Sequence, residues 1–322
     1  MRAELEFLGA LPFWAVLACL WVGTGRFIFS HARYPFDSSV EEIGFAFGLG
    51  ACLFASVIWV AGLLSALRVS VMIGAVGVFA LPALFAVSGR LKIPYARFGA
   101  LLKKASRPEL YLIGLAALAA AATFVAAGCP QPGRDALAYH FYCPKWFLLK
   151  GSVYPVPYSV NALQPFLEQM IFLFGLFFKS EAVAKLFNLT CILLLCVLTG
   201  VFSRRLTRGR SSGLVPAALV FLTPGLAAQA PYAYTDIALT FFIFLAFFAL
   251  WRFFEEGNLR FLACGSFFAG TAAATKIRRT ASRHCRTNVR GRRIPARLKN
   301  PITSGIWKMR PHPTTSQPTK LT

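Results

Sequence analysis

Apolar residues in this chain occur in long blocks that are separated by charged or proline-rich breaks. Each block has about 18 to 24 residues, and an α-helix of that length, rising 1.5 Å per residue, crosses a hydrocarbon core of ~30 Å. The pattern therefore predicts membrane-spanning helices rather than strands. Eight spans are predicted, over residues 7–29, 43–67, 69–89, 110–128, 184–203, 213–230, 237–254 and 259–275.

The composition strengthens this prediction. Hydrophobic residues make up 57% of the chain and charged residues only 14%, and the mean hydropathy is +0.60. The apolar share of a soluble domain is roughly 45–50%. We expect an all-α, polytopic integral membrane bundle of about eight transmembrane helices.

The distribution of Lys and Arg predicts the orientation, because cytoplasmic loops collect these residues. Residues 90–109 hold six of them and residues 203–212 hold four, so both loops are predicted to be cytoplasmic. Span 110–128 then leaves the cytoplasm and span 184–203 returns to it. Residues 129–183 are left as a large extracytoplasmic loop.

Segment 161–178 within that loop has two interpretations. It is apolar, but its interior carries Gln164, Pro165, Glu168 and Gln169. A crossing here would move the arginines after residue 203 to the outer side, so we expect an amphipathic helix at the outer interface, with its apolar face in the lipid headgroup boundary. The alternative is a true span with a buried Glu168, which is costly.

The net charge of +22 is concentrated in the last part of the chain. Residues 278–322 hold twelve Lys and Arg and no acid, which leaves 22 minus 12, or +10, for the rest. The segment lacks periodicity and cannot pack a core, so 1–276 is the predicted transmembrane domain and 277–322 a disordered basic tail. A lipid-binding arm, an RNA-binding arm and translation out of frame are the alternatives. We favour the last and expect no nucleic-acid partner.

Cysteine and histidine spacings do not match a metal-binding motif. Cys129 and Cys143 share the outer loop and could form a disulfide in an oxidising compartment or remain two thiols. No cofactor is indicated. A divalent metal remains an open possibility, because a pair of carboxylates could hold one.

Two acids stand at the outer ends of predicted spans. Asp135 follows the helix-breaking GCPQPG stretch, and Asp236 lies in the turn APYAYTDI. Both reach the same face, where one carboxylate could act as general base toward an acceptor hydroxyl. The plainer alternative is that Asp135 caps a helix and Asp236 ends a span.

Three ordered stretches carry a family resemblance. They are RDALAYHFYCPKWFLLKGSVYPVPYSVNALQPFLEQMIFLFG, LTPGLAAQAPYAYTDIALTFFIFLAFFALWRFF and FLACGSFFAGTAAATK. Across residues 110–276 the chain resembles the GT-C superfamily of polyprenyl-phosphate-sugar-dependent glycosyltransferases, near the protein mannosyltransferase, aminoarabinose transferase and galacturonosyltransferase branch.

The resemblance implies an inverting transfer from a polyprenyl-phosphate-sugar donor to a lipid, glycan or protein acceptor. It also implies an enzyme of the bacterial inner membrane, with its site facing the periplasm or cell exterior. Asp135 falls on the acid that activates the acceptor and Tyr139 on the tyrosine that follows it. Asp236 and Lys276 match later motif positions. The resemblance calls for a cation at the leaving phosphate, and Arg134, Lys145 or Lys276 could serve.

This chain departs from the family pattern in two ways. Many members have a second acid after the loop aspartate, where this chain has Ala136, so either one carboxylate suffices or His140 and Asp236 complete the site. Members also continue with further spans where this chain has its basic tail, so we expect this polypeptide to be incomplete and inactive. A transporter or flippase of lipid-linked or small solutes is one alternative, although acids at span ends are not typical of one, and a structural membrane subunit is another.

Overall fold

The described part of the computed structural model is entirely helical. It comprises residues 2–87, 103, 105–131, 133–156, 166–208 and 213–276, so the tail 277–322 lies outside it. The longer helices are α1 (Arg2–His31), α2 (Ser39–Leu63), α3 (Val69–Val87), α4 (Arg107–Gly128), α7 (Ala182–Leu206), α10 (Asp236–Glu256) and α11 (Leu259–Thr275). Shorter ones are the π-helical turn π1 (Ala136–His140), α5 (Tyr142–Lys150), α6 (Gln169–Phe177), α8 (Leu214–Leu222) and α9 (Pro224–Gln229). The predicted all-α class is confirmed.

Five helices of the described residues are long and apolar enough to cross a membrane: α1 from Glu6, α2, α4, α7 and α10. Among the other predicted spans, α3 contributes a shorter apolar stretch over Val69–Leu84, and α11 has 17 residues. The predicted continuous helix over 213–230 is wrong. It is divided at Thr223 into α8 and α9, because Pro224 lacks a backbone N–H and begins a new helix.

Charged residues gather at two opposite ends of the bundle. At one end, Lys276 after α11 contacts Asp236 at the start of α10. We call this the site end. At the other, which we call the arginine end, Arg252 near the end of α10 contacts the loop between α1 and α2. The antiparallel course of α10 and α11 separates the two ends by the length of the bundle.

The arginine end is held by a buried ionic network. Arg252 is 1% exposed and pairs with the equally buried Glu41, and its guanidinium also lies 2.5 Å from Glu256 and 4.3 Å from the ring centroid of Phe261. Arg205 at the end of α7 binds Glu256 as well. Since a buried charge is stable only when paired, this network fixes α2, α7 and α10 against one another.

Helices α1 and α2 pack with their backbones almost in contact. A Cβ at Gly25 would collide with the backbone of Ala46, and one at Gly50 would collide with the backbone of Trp21. Small residues at such crossings let membrane helices approach closely. The close approach leaves Trp21 fully buried in an aromatic core.

The described part of segment 161–178 does not turn an apolar face to lipid as predicted. Residues 161–165 are outside the described part, and the rest forms only the nine-residue α6. Residues Gln169–Gly175 are all buried, because α2, α5 and α7 pack around the helix. Glu168 immediately before it is also buried. Hydropathy indicates an apolar surrounding but does not distinguish lipid from protein interior, which explains the error.

Candidate active site

The loop after α4 begins with a sharp change of direction. Helix α4 ends at Gly128, and the chain then passes through Gln131 and Gly133 to Asp135, which opens the wide turn π1. The Phe141 amide donates to the Ala136 carbonyl, 2.8 Å away, and closes this turn. Such π-helical turns are rare and occur often at functional sites. Here the turn carries Asp135, Tyr139 and His140.

Asp135 is not a helix cap. Its side chain makes no capping hydrogen bond. Burial, followed by the negative charge of the nearby Asp135, raises the pKa of Tyr139 to about 12. Tyr139 therefore stays a neutral hydroxyl at physiological pH, close to the exposed Asp135 carboxylate.

Asp236 and Lys276 form an ion pair 2.6 Å long, as expected if both belong to one site. Asp236 is the first residue of α10, and Lys276 directly follows α11. Both side chains remain partly exposed, at 45% and 37%. A ligand can therefore reach either charge.

His140 is a neutral ring close to both Asp135 and the Asp236–Lys276 pair. Its Nδ1 faces the Gln169 amide nitrogen at 3.1 Å, which makes Nδ1 the acceptor and leaves the proton on Nε2. Burial, helped by the positive charge of Lys276, lowers the pKa of His140 to about 4, although Asp135 and Asp236 oppose this shift. The negative charges of Asp135 and Asp236 therefore act on His140, but its ring is uncharged at neutral pH.

The turn before α10 is positioned by two amides that the sequence analysis missed. The Asn188 side chain donates to the carbonyls of Tyr232 and Tyr234, at 2.7 and 2.6 Å. The Gln131 carbonyl oxygen accepts from the Ala233 amide. An asparagine within an otherwise apolar span was the signal available in the sequence, because a buried amide needs hydrogen-bond partners.

Gly133 closes the contact between the two turns. A Cβ at this position would lie 2.6 Å from the Tyr234 hydroxyl and 2.7 Å from Gln131 Nε2. A side chain at this position would displace the ends of the Tyr234 and Gln131 side chains from the contact between the two turns.

Glu168 is a buried acid next to the Asp236–Lys276 pair. It is 2% exposed, and within the described residues neither carboxylate oxygen has a hydrogen-bond partner. Burial, followed by the charge of Asp236, raises the pKa of Glu168 well above its usual range. The preceding Leu167 amide donates to the Ala274 carbonyl next to the end of α11. Glu168 is therefore a neutral acid beside the Asp236–Lys276 pair.

The three candidate phosphate-binding cations differ in their positions. Lys276 lies in the site, and Arg134 is exposed beside Asp135. Lys145 instead pairs with Glu181, 3.4 Å away at the start of α7, so the structure does not bring it to Asp236. Cys129 is exposed and Cys143 buried, and both are thiols rather than a disulfide.

The described residues contain no group of three His, Cys, Asp or Glu side chains arranged to hold a metal ion. Asp236 pairs with the Lys276 ammonium, and Asp135 lies close to the Tyr139 hydroxyl. The arrangement supplies a carboxylate base, an ammonium for an anion and a set of neutral donors.

A comparison with known proteins covers the part of the chain that contains Asp236 and Lys276. Residues 166–277 match the family model of dolichyl-phosphate-mannose-protein mannosyltransferase. Neither the curated proteins nor the solved structures gave a significant match. The matched region contains Asp236 and Lys276 but begins at residue 166, after Asp135. This match, over 112 of the 322 residues, confirms the resemblance to polyprenyl-phosphate-sugar-dependent membrane glycosyltransferases for residues 166–277.

Proposed function

We propose that the site end transfers a sugar from a polyprenyl-phosphate donor to an acceptor hydroxyl, with Asp135 as general base. The observation that carries this proposal is the placement of two different pairs at one site. Asp135 lies close to the neutral Tyr139 hydroxyl, while Lys276 is available to an anion beside Asp236. A base and a cation are the two groups that such a transfer needs.

The proposed reaction balances with these groups alone. The acceptor oxygen forms a bond to the anomeric carbon on the face opposite the phosphate, and its proton passes to Asp135. The bond between the anomeric carbon and the phosphate oxygen breaks, and its electron pair leaves with the polyprenyl phosphate. Lys276 meets this phosphate, and Arg134 beside Asp135 provides a second cation. The anomeric configuration is inverted.

The distribution of charge supports an extracytoplasmic site. The arginine end contains Arg204 and Arg205 of the loop that the Lys and Arg distribution assigns to the cytoplasm. The site end lies opposite, so the proposal places it on the periplasmic or outer face of a bacterial plasma membrane. The acceptor class is a lipid, glycan or protein.

We further propose that residues 277–322 are translated out of frame, which leaves this 322-residue chain without transferase activity. The segment has twelve Lys and Arg without one acid, and the family match ends at residue 277. The alternative reading frames of the DNA after the codon for Lys276 test this directly. We expect one frame to encode further apolar spans, and their absence from both frames, or turnover by the purified chain, would contradict the proposal.

The transferase proposal is tested in the frame-restored protein, in which residues 1–276 are followed by the product of that alternative frame. Purified protein receives a polyprenyl-phosphate-linked sugar, and polyprenyl phosphate release is measured together with acceptor glycosylation. Release that depends on acceptor, and product of inverted configuration, are expected. Donor translocation across vesicles without transfer would instead indicate a transporter.

A further inference from the structure

A groove opens at the site end, apart from the Asp135 cluster. It has a volume of about 590 Å³ and lies where the first turns of α1, the end of α4 and the start of α7 meet. None of the side chains proposed for proton transfer or for binding the leaving phosphate lines it. The volume is typical of a site that holds a small molecule or a lipid headgroup.

The walls of the groove are apolar and adjoin a lipid-facing helix. Phe7, Phe13 and Phe178 line it, and Phe7 contacts Phe124 of α4 edge-on, with ring centroids 5.4 Å apart. Helix α4 is the least buried of the five long apolar helices in the described part of the chain. An acyl chain that lies along α4 reaches these phenylalanines, which favours a lipid over a solute as the ligand.

A buried cation also lines the groove. Lys185 is only 5% exposed, and its ammonium donates a hydrogen bond to the Cys129 carbonyl, 2.5 Å away. An ammonium has three donors, so two remain for a ligand. Glu181 lies one helical turn before Lys185 but pairs with Lys145, at 3.4 Å. Among the described residues no acid lies within ion-pairing distance of Lys185, and a buried charge in this setting needs an anion.

Two further features make the start of α7 positive. Lys179 is exposed, lines the groove and has no acidic partner in the described part of the chain. Helix α7 begins at Ala182, which also lines the groove, and no side-chain hydrogen bond from Glu181 caps its positive end. The second acid of the lining, Glu6, lies at an exposed position, where water and salt screen its charge. A helix start beside lysines is a setting that binds phosphate groups.

We propose that this groove binds an anionic membrane lipid through its phosphate. The phosphate contacts Lys185 and Lys179 at the start of α7, and the acyl chains lie beside Phe7 and along α4. A headgroup that also carries an ammonium would bring a positive charge close to the same two lysines. A headgroup with net negative charge therefore fits better than a zwitterionic one.

Lipid retention by the purified 322-residue chain tests this proposal. The delipidated protein is incubated with phosphatidylglycerol, phosphatidylethanolamine and phosphatidylcholine of identical acyl chains, and bound lipid is counted by native mass spectrometry. We expect phosphatidylglycerol to be retained about tenfold more strongly than either zwitterionic lipid, which corresponds to ~1.4 kcal/mol. Inorganic phosphate at the same concentration as the lipid is expected not to displace it.

Two variants with matched controls locate the binding. Lys185→Met removes the buried cation and is expected to abolish the preference for phosphatidylglycerol. Gly9→Leu fills the groove, since a Cβ at Gly9 meets nothing within 4 Å, and is expected to reduce retention of phosphatidylglycerol about tenfold. Lys150→Met removes an exposed lysine, and Gly114→Leu makes the same enlargement at an equally open glycine of α4, outside the groove. Neither control is expected to change retention.

Equal retention of the three lipids would overturn the proposal, and so would a preference for phosphatidylglycerol that survives both groove variants. Displacement of the lipid by an equal concentration of inorganic phosphate would contradict the choice of a lipid. Circular dichroism monitors the fold of each variant, and Gly9→Leu keeps the test valid if Lys185→Met fails to fold. The readout does not depend on sugar transfer, so its failure is distinguishable from failure of the transferase proposal.

Discussion

The Lys276 ammonium lies 2.6 Å from the Asp236 carboxylate and joins the end of α11 to the start of α10. The two residues are 40 positions apart, yet the helical hairpin between them brings both to one surface. Because the pair is partly exposed, it contributes only about 0–1 kcal/mol to stability. The pair can therefore be changed with little effect on folding, so its proposed role in binding can be tested by substitution.

Lys276→Met is expected to abolish phosphate recognition without unfolding the protein. We expect sugar transfer by the frame-restored protein to fall about 100-fold, as when a preorganised charge partner is removed, with unfolding changed by at most ~1 kcal/mol. Lys150→Met serves as control, because Lys150 is an exposed lysine in the last turn of α5. Transfer rates equal to those of this control would remove Lys276 from the mechanism.

The burial of His140 predicts acid lability. The pKa of His140 is lowered to about 4, so between pH 6.5 and pH 4 the unfolded chain binds a proton that the folded chain does not. The stability from this group is present above pH 6.5 and is lost as the pH falls toward 4, by at most about 3 kcal/mol. Thermal unfolding of His140→Phe in detergent is expected to lack this slope. His31→Gln, which removes an exposed histidine, is expected to keep it.

Glu168 predicts the opposite dependence on pH. Since burial raises its pKa well above the usual value, the folded chain keeps a proton that the unfolded chain releases above pH 4.5. The stability from this group is present below pH 4.5 and is lost as the pH rises toward the pKa of the folded state. Glu168→Gln is expected to gain stability over the wild type with increasing pH. Glu181→Gln, at an exposed carboxylate, is the control, and parallel curves for all three proteins would contradict the prediction.

Gly133→Ala is expected to separate the two turns of the site. The added methyl would lie 2.6 Å from the Tyr234 hydroxyl, so either the Asp135 turn or Tyr234 must move. We expect a loss of ~1–3 kcal/mol in stability, as for an overpacked core, and about a tenfold loss in transfer. Gly225→Ala in α9 meets nothing within 4 Å and is expected to be silent. Equal behaviour of the two variants in both assays would show that the contact is unimportant.

The sequence predicts which segments form helices more accurately than it predicts what packs around each helix. Long apolar blocks mark α1, α2, α4, α7 and α10, because length and hydropathy are local properties. A hydropathy average over a window of residues does not detect the break at Pro224. The burial of α6 depends on which helices pack around it, and hydropathy does not report that.

The same distinction applies to the site. The positions of Asp135 and Asp236 at helix ends could be predicted because each lies where an apolar block meets a turn, and the position of Lys276 followed from the family resemblance; their roles stay predictions. Two contacts could not be predicted from the sequence, because each joins residues far apart in the chain. They are the hydrogen bond between His140 and Gln169 and the hydrogen bond by which Asn188 holds the Tyr234 turn. Lys145 was placed in the site by proximity in sequence, but its partner is Glu181.

The central claim is that Asp135 is the general base of a polyprenyl-linked sugar transfer, and the rate of the frame-restored Asp135→Asn variant tests it most directly. The asparagine preserves shape but cannot accept the proton, so we expect the rate to fall by about 10²–10⁴ while donor binding is unchanged. Glu181→Gln, which neutralises another partly exposed acid of the same loop region, is expected to retain the full rate. A rate for Asp135→Asn within about twofold of the wild type would contradict the account.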